Sequence, residues 1–354
     1  LQILNIIGLF AFNLIIISLF LLPTVLIFNL KLSRKIFYII LIPVFLFIFY
    51  IFGNHSINKN RVFLSNNLPK YYIKVISPNF NLDYGLSSSE IESRLKKLIR
   101  YSNPEKDLKT IFVWPEGVFS GYEFNEISKF QKIFSRNFGE KHLILFGVNK
   151  LEPNSGMYYN NLVIVNNRLE IVEEYSKQKL VPFGEFLPFE NFFQKFGLRS
   201  ITNNFGSFNR GEQRKIIKLK KSFQNFSFLP LICYEIIYSG QLSQDLNFDY
   251  IFNISEDGWF GSSIGPKQHL AHSIFRAIES GKYVIRSANN GITAIVNPIG
   301  VAEQKILFGK NGYIDFREKR SVETTIFSKF GNKIFFVMIL LYIFLIFSFN
   351  RNSK

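Results

Sequence analysis

The sequence predicts an α/β domain held between apolar helices long enough to cross a membrane. Two observations carry this. Strand-like and helix-like stretches alternate through the middle of the chain, the pattern of a layered α/β domain. Outside that region lie three uncharged apolar runs, two before it and one after. Composition agrees: of 354 residues 47% are hydrophobic and 19% charged, the balance of a polar domain joined to a few strongly apolar spans.

The first run, residues 1–28, contains no charged residue. At about 1.5 Å of rise per residue, ~20 residues cross a hydrocarbon core, so this run is long enough to span. It has no basic leading region and no small-residue cleavage site, which argues against a signal peptide. Lys31, Arg34 and Lys35 follow, then a second uncharged run from Ile36 to Phe52. The third extends from Ile334 to Phe349, ahead of Arg351 and Lys354. The basic loop and the basic tail belong on the cytoplasmic side, which puts the segment between the second and third helices on the far side. The chain is therefore expected to divide into 1–52, two transmembrane helices with a short cytoplasmic loop; 53–332, an extracytoplasmic domain; and 333–354, a C-terminal transmembrane helix and short tail.

Within the middle segment, Tyr71 to Ser77 is β-branched and aromatic, and Pro78-Asn79 stops it. Ser87 to Tyr101 reads as a helix with a capping box, Ser87 and Glu90. Its Ile91, Leu95, Leu98 and Ile99 fall on one face, and Glu92 with Lys96 forms an i,i+4 pair on the wet side. Short apolar runs at Thr110–Trp114, His142–Val148, Asn161–Val165, Phe228–Cys233 and Tyr250–Ile254 read as strands. A helix around Lys267–Ser280 follows, with Leu270, Ile274, Ala277 and Ile278 expected on its buried face and Gly281 as its left-handed cap. Tyr283–Arg286 and Ile292–Val296 close the series. No internal repeat is visible.

Cys233 is the single cysteine, so no internal disulfide forms and cysteine usage does not reveal the compartment. It stands at the end of the apolar run Phe226–Ile232, followed by Tyr234 and Glu235. A strand that delivers a lone thiol beside a carboxylate is one way to place a nucleophile; a free cysteine also packs as a small hydrophobe, and both readings stand on this stretch alone. Glu116 follows the strand Thr110–Trp114 and Pro115, where burial raises a carboxyl pKa and suits a general base; a solvated loop residue is the alternative. Lys177, Lys179 and Glu185 surround a Pro-Phe-Gly turn, and a partly buried lysine there can steady an oxyanion or lower a thiol pKa. His269 and His272 are spaced i,i+3, but no third ligand accompanies them and no metal site is expected. The formal net charge of +16 favours anionic partners; no block of basic residues forms a nucleic-acid stripe, and no nucleic acid is expected to bind.

Trp114-Pro115-Glu116, Lys177 with Leu180-Val-Pro-Phe-Gly-Glu185, and Cys233-Tyr234-Glu235 occur in the order seen in the nitrilase superfamily. More narrowly, the chain resembles the bacterial apolipoprotein N-acyltransferases. Trp259-Phe-Gly, Ile264-Gly-Pro-Lys-Gln-His269 and Arg286-Ser-Ala-Asn-Asn-Gly291-Ile-Thr-Ala294 extend the likeness, as do the flanking apolar helices. The resemblance implies a nitrilase-like αββα sandwich and a Glu-Lys-Cys triad: Glu116 the general base, Lys177 rather than Lys179 the catalytic lysine, Cys233 the nucleophile. Glu185 resembles the family's auxiliary acid, and Tyr234 and Glu235 its residues flanking the nucleophile, the Tyr234 N–H serving the oxyanion. It implies a ping-pong acyltransferase of the bacterial inner membrane, with the catalytic domain on the periplasmic side. An acyl chain would pass from a phospholipid, through a cysteine thioester, to the N-terminal amine of a diacylglyceryl lipoprotein, without a cofactor. A membrane-tethered amidase and an inactive scaffold are the alternatives.

Three features depart from the family pattern. Tyr84 is the nearest counterpart of an aromatic, often Trp, after the first domain strand. Glu256 stands where the family commonly has Asn. Family members also have more N-terminal membrane helices, and because the chain opens at Leu1 it is expected to be a piece of a longer protein. Phe189, Phe192, Phe193 and Phe196 form an aromatic stripe at i, i+3, i+4 and i+7. That stripe could meet the bilayer or an acyl chain, or pack on the domain core.

Overall fold

A computed structural model describes residues 1–64, 71–153, 156–189, 207–219, 223, 226–240, 242–243, 245–317 and 322–351. In chain order these form α1 (Leu4–Leu21), α2 (Leu32–Leu64), β1 (Tyr72–Ser77), α3 (Ser88–Ser102), β2 (Thr110–Val113), α4 (Phe124–Ile127), α5 (Gln131–Asn137), β3 (His142–Leu151), β4 (Tyr158–Val165) and β5 (Ile171–Ser176). Then come β6 (Ile217–Lys218), β7 (Ser227–Ile232), β8 (Tyr250–Glu256), α6 (Gly265–Ser280), β9 (Tyr283–Asn289), β10 (Thr293–Val296), β11 (Ala302–Ile306), β12 (Gly312–Arg317), α7 (Ile326–Phe330) and α8 (Lys333–Arg351).

The strands form two six-stranded sheets, ordered β12-β1-β2-β3-β4-β5 and β11-β10-β9-β8-β7-β6. Each has a parallel centre, β1-β2-β3 in one and β7-β8-β9 in the other, flanked by antiparallel neighbours. The sheets face each other across a core that includes Ile73, Val75, Ile111, Val113, Leu145 and Leu162 from one, and Phe228, Tyr250, Phe252, Ile254 and Ile285 from the other. The opposite face of the first sheet, with Phe112, Trp114, Ile144 and Phe146, is covered by Ile91, Leu95 and Leu98 of α3 and Phe134 of α5. The opposite face of the second, with Leu229, Leu231, Ile251 and Val284, is covered by α6. This is the αββα sandwich. Because both faces of each sheet are covered, β2, β7 and β8 read as near-continuous apolar runs rather than alternating ones.

The α3 cap forms as its spacing predicts. The Ser87 hydroxyl accepts from the Glu90 N–H, and the Ser87 N–H donates to Glu90 Oε2 at 2.8 Å. Gly281 ends α6 in the left-handed conformation (φ 67°, ψ 27°). The buried face of α6 differs from the expected one. Ala277 and Ile278 are buried, but Leu270 and Ile274 are only partly so, and His269, Ser273, Arg276 and Ser280 are buried instead. An apolar count misses that face because His269 and Arg276 bond the Cys233 and Ile237 carbonyls at and after the end of β7, and Ser280 bonds the Arg276 carbonyl of its own helix.

Leu4–Leu26 and Leu32–Arg61 are each long and apolar enough to cross a membrane. α2 runs on to Leu64, well past the end of the uncharged run at Phe52. α8 has a shorter apolar stretch, Lys333–Ser348. α1 breaks at Gly8 (φ 72°, ψ 176°), where the Phe327 ring lies against the glycine, and the Leu9 N–H freed by the break donates to Glu279 Oε1 at 2.9 Å. Gln2 Nε2 donates to the Ile299 carbonyl at 2.9 Å, and Tyr342 of α8 bonds Ser18 at 2.7 Å. α1 is thus docked on α6 and α7, and α8 packs against α1.

Candidate active site

The site lies where chain segments leave the strand ends. β2 ends at Val113; the Trp114 N–H still donates to Leu145 (2.8 Å) and its indole donates to Ser102 (2.9 Å). With Trp114 so held, Pro115 and Glu116 emerge at a fixed place. β5 ends at Ser176, and the Lys177 N–H donates to the Asn160 carbonyl at 2.9 Å. β7 ends at Ile232, and Cys233 turns out of it with φ +47°, a left-handed conformation costing about 1–2 kcal/mol for a residue with a Cβ. Glu116, Lys177, Glu185, Cys233, Tyr234 and Glu256 line one cavity of about 610 Å³.

Lys177 is almost completely buried, with its Nζ 2.8 Å from Glu185 Oε1 and 3.7 Å from Glu116 Oε1. The Asn160 amide donates to both carboxylates at 2.7 Å. Glu116 Oε2 accepts from the Glu256 N–H at 3.0 Å, and Glu185 Oε2 from the Val181 N–H at 2.9 Å. Both acids are therefore oriented before any substrate arrives. Burial pushes the Glu116 pKa up, with Lys177 opposing. Burial works against the Lys177 ammonium, but the Glu185 and Glu116 carboxylates outweigh it and hold its pKa above the ordinary value. Burial, and then Glu116, push the Cys233 thiol up, with Lys177 pulling the other way. Burial therefore favours the thiol over the thiolate, so a reaction at sulfur calls for a base at the moment of attack. Glu116, raised in pKa and sharing the cavity, is suited to that part.

The other residues singled out from sequence fall in different places. The Tyr234 amide shares a peptide unit with Cys233, and Tyr234 lines the cavity. Glu235 is fully buried and accepts from Tyr175 Oη (2.8 Å), the Gln178 and Lys179 N–H groups (2.9 and 3.0 Å) and the Ile232 N–H (2.9 Å). It fastens the Lys177 segment to the end of β7. Lys179 is exposed, with its ammonium over the Tyr238 ring. Tyr84 lines the cavity, its ring 5.9 Å from that of Trp259. Phe189 is 83% exposed; Phe192, Phe193 and Phe196 lie outside the described residues.

Sequence reasoning misses two groups. Asn160 sits near the start of β4 with no motif around it, and only the folded sheet brings it to Glu116 and Glu185. His269 is read by its spacing to His272, whereas in the fold its Nε2 lies 3.1 Å from the Cys233 carbonyl oxygen and its Nδ1 2.8 Å from Asp257 Oδ1. Glu256, the departure noted at its position, accepts from Asn289 Nδ2 (2.6 Å), the Gly258 N–H (2.7 Å) and Asn290 Nδ2 (3.2 Å). Burial lifts its pKa to about 8 against those donors.

Residues 90–306 match the carbon–nitrogen hydrolase family. The chain is 31% identical over 273 residues to an apolipoprotein N-acyltransferase of Bradyrhizobium diazoefficiens, covering 73% of this chain and 50% of that protein. It is 30% identical over 270 residues to one of Wigglesworthia glossinidia brevipalpis, covering 73% and 52%. The chain thus spans about half the length of the curated relatives it matches. Saccharomyces cerevisiae Nit3, a member of branch 10 of the nitrilase superfamily, superposes with a TM-score of 0.49 at 17% identity, over 70% of this chain and 90% of that one. At that level the superposition adds nothing to the sequence match.

Proposed function

This chain belongs to the carbon–nitrogen hydrolase family, and from that premise we propose that it is a membrane-bound N-acyltransferase of lipoprotein maturation. It carries a fatty acyl chain on Cys233 from a phospholipid to the N-terminal amine of a diacylglyceryl-cysteine. The observation that supports this best is that Glu116, Lys177 and Cys233 line one cavity in a domain on which the membrane-length apolar helix α1 is docked. In the proposed arrangement α1, α2 and α8 lie in the bacterial inner membrane and the sandwich lies on its periplasmic side. Phe189, Phe192, Phe193 and Phe196 meet the acyl chain or the bilayer.

The steps follow from the charges in the site. Glu116 takes the Cys233 proton as sulfur attacks the donor ester carbonyl, and the oxyanion is held by the Lys177 ammonium and the Tyr234 N–H. Collapse breaks the ester C–O bond, and the proton on Glu116 passes to the departing lysophospholipid oxygen. The acceptor amine then attacks the thioester and loses its proton to Glu116, and the C–S bond breaks with return of that proton to sulfur. The product is an amide. Lys177 opposes the burial that raises the Glu116 pKa, and Glu185 helps hold Lys177 in place.

The test uses the full chain purified in detergent and a phospholipid labelled in its acyl chain. A hydroxylamine-labile label on Cys233, absent from Cys233→Ala and discharged by a diacylglyceryl peptide, is the expected result. An intact protein that takes up no label sinks the proposal, and discharge to water alone favours a membrane-tethered amidase.

A further inference from the structure

Behind the nucleophile lies a buried polar chain to which the mechanism above assigns no part. The Cys233 carbonyl oxygen has two side-chain donors, His269 Nε2 at 3.1 Å and Asn253 Nδ2 at 3.4 Å. On the other side of the ring, Nδ1 lies 2.8 Å from Asp257 Oδ1 and 3.2 Å from Arg286 Nη2. Arg286 in turn bonds Asp257 Oδ2 at 2.7 Å and the Asn253 side-chain oxygen. His269 is 4% exposed and Asp257, Arg286 and Asn253 are fully buried. The Asp257 carboxyl is held down at about 2: burial works against the charge, and Arg286 and then His269 overcome it.

The partners determine where the ring proton sits. A carbonyl oxygen only accepts, so Nε2 must carry a proton to bond Cys233. The ionised Asp257 carboxylate also only accepts, so the 2.8 Å contact to Oδ1 calls for a proton on Nδ1, as in an imidazolium; in a neutral ring Nδ1 accepts from Arg286 Nη2 instead. The Nε2–H donor is present in both states; burial and then the Arg286 charge lower the ring's pKa, with Asp257 opposing. The ring therefore does not serve as a base for the thiol, since it faces the backbone of Cys233.

The carbonyl that His269 engages belongs to the same peptide unit as the Tyr234 N–H. A donor on a peptide oxygen fixes the plane of that peptide and polarises it, making its N–H a better donor. We propose that His269, seated by Asp257 and Arg286, is a positioning residue that aims and strengthens the Tyr234 N–H toward the oxyanion formed at the acyl carbonyl. The hydrogen bond also helps hold Cys233 in its left-handed conformation, which its own Cβ disfavours. This inference rests on the proposed acyl transfer through Cys233.

An oxyanion role separates two reactions of one thiol. Acylation passes through a tetrahedral oxyanion; alkylation by iodoacetamide does not. The variants are His269→Asn, whose amide reaches the position of Nδ1 but not the Cys233 oxygen, and His269→Gln, whose amide reaches the position of Nε2. With the full chain in detergent, H269N should acylate Cys233 from labelled phospholipid roughly ten- to a hundredfold more slowly than wild type, less than the loss of a direct oxyanion donor. Its iodoacetamide rate and melting temperature should stay close to wild type, and H269Q should recover most of the acylation rate. Acylation at the wild-type rate in H269N, or parallel loss of acylation and alkylation, overturns the inference. If H269N does not fold, H269Q decides: folded and alkylated normally but no longer acylated, it also overturns the inference. A wild-type protein that never acquires the label refutes the acyl-transfer reading itself, a separate result.

Discussion

Replacing Lys177 with methionine tests the electrostatic frame of the site most directly. The ammonium is 1% exposed and lies 2.8 and 3.7 Å from two carboxylates that share one asparagine amide. Its loss leaves Glu116 and Glu185 buried with no cation beside them, a change worth about 3–5 kcal/mol, or on the order of 10 °C in melting temperature for a domain of this size. The loss must depend on pH. Burial already holds the Glu116 pKa above its unfolded value, with Lys177 opposing; without Lys177 it rises further, so the folded variant is favoured below the unfolded value. That advantage disappears as pH rises through the folded one. Lys177 itself has a raised folded pKa, so its contribution is complete below the ordinary lysine value and is lost only above it; it adds no slope between pH 5 and 9. Thermal melts of K177M and wild type should therefore differ less at pH 5 than at pH 8, and adding Glu185→Gln should restore much of the difference. A loss below about 1 kcal/mol at pH 8, or the same loss at both pH values, would refute the reasoning.

Two further outcomes are expected. Glu256 has its pKa raised from 4.5 to about 8, so a stabilisation on the order of 5 kcal/mol is present below pH ~4.5 and lost as pH rises toward 8. Melting temperatures of Glu256→Gln should show a shallower fall over that window, and equal slopes in the two proteins would disprove it. At Gly8, φ is +72° and an added Cβ would lie 2.0 Å from the Phe327 ring. Gly8→Ala should cost about 3 kcal/mol or more from strain and overlap together, seen as a lower melting temperature and faster proteolysis between α1 and α6; wild-type behaviour in both would show that α1 is not docked there.

Much of the fold can be read along the chain, because it depends on local patterns. β2, β7 and β8 are apolar runs ended by turn residues, and α3 declares its start through Ser87 and Glu90. Edge strands are less legible. β12 alternates exposure and joins the first sheet beside β1, although its chain neighbour β11 joins the second, and no pattern within Gly312–Arg317 says which sheet it will enter. The polar buried face of α6 is illegible for a related reason: His269 and Arg276 lie buried against carbonyls 36 and 39 residues away in the chain, to which they donate, and a hydrophobic count sees only their polarity.

The sequence by itself determined the α/β class and the apolar flanking helices and, through strand-end motifs and family resemblance, singled out Glu116, Lys177 and Cys233, which line one cavity in the fold. Those are properties of residue type and short-range order. Only the tertiary structure decided that Asn160 binds both acids and that Glu235 ties the Gln178-Lys179 backbone to the end of β7. It also decided that His269 engages the backbone of Cys233, and that Gly8 lets α1 bend onto Phe327 and Glu279. Each of these depends on hydrogen bonds or close contacts between distant segments, whose distance and direction are set once the two sheets pack face to face.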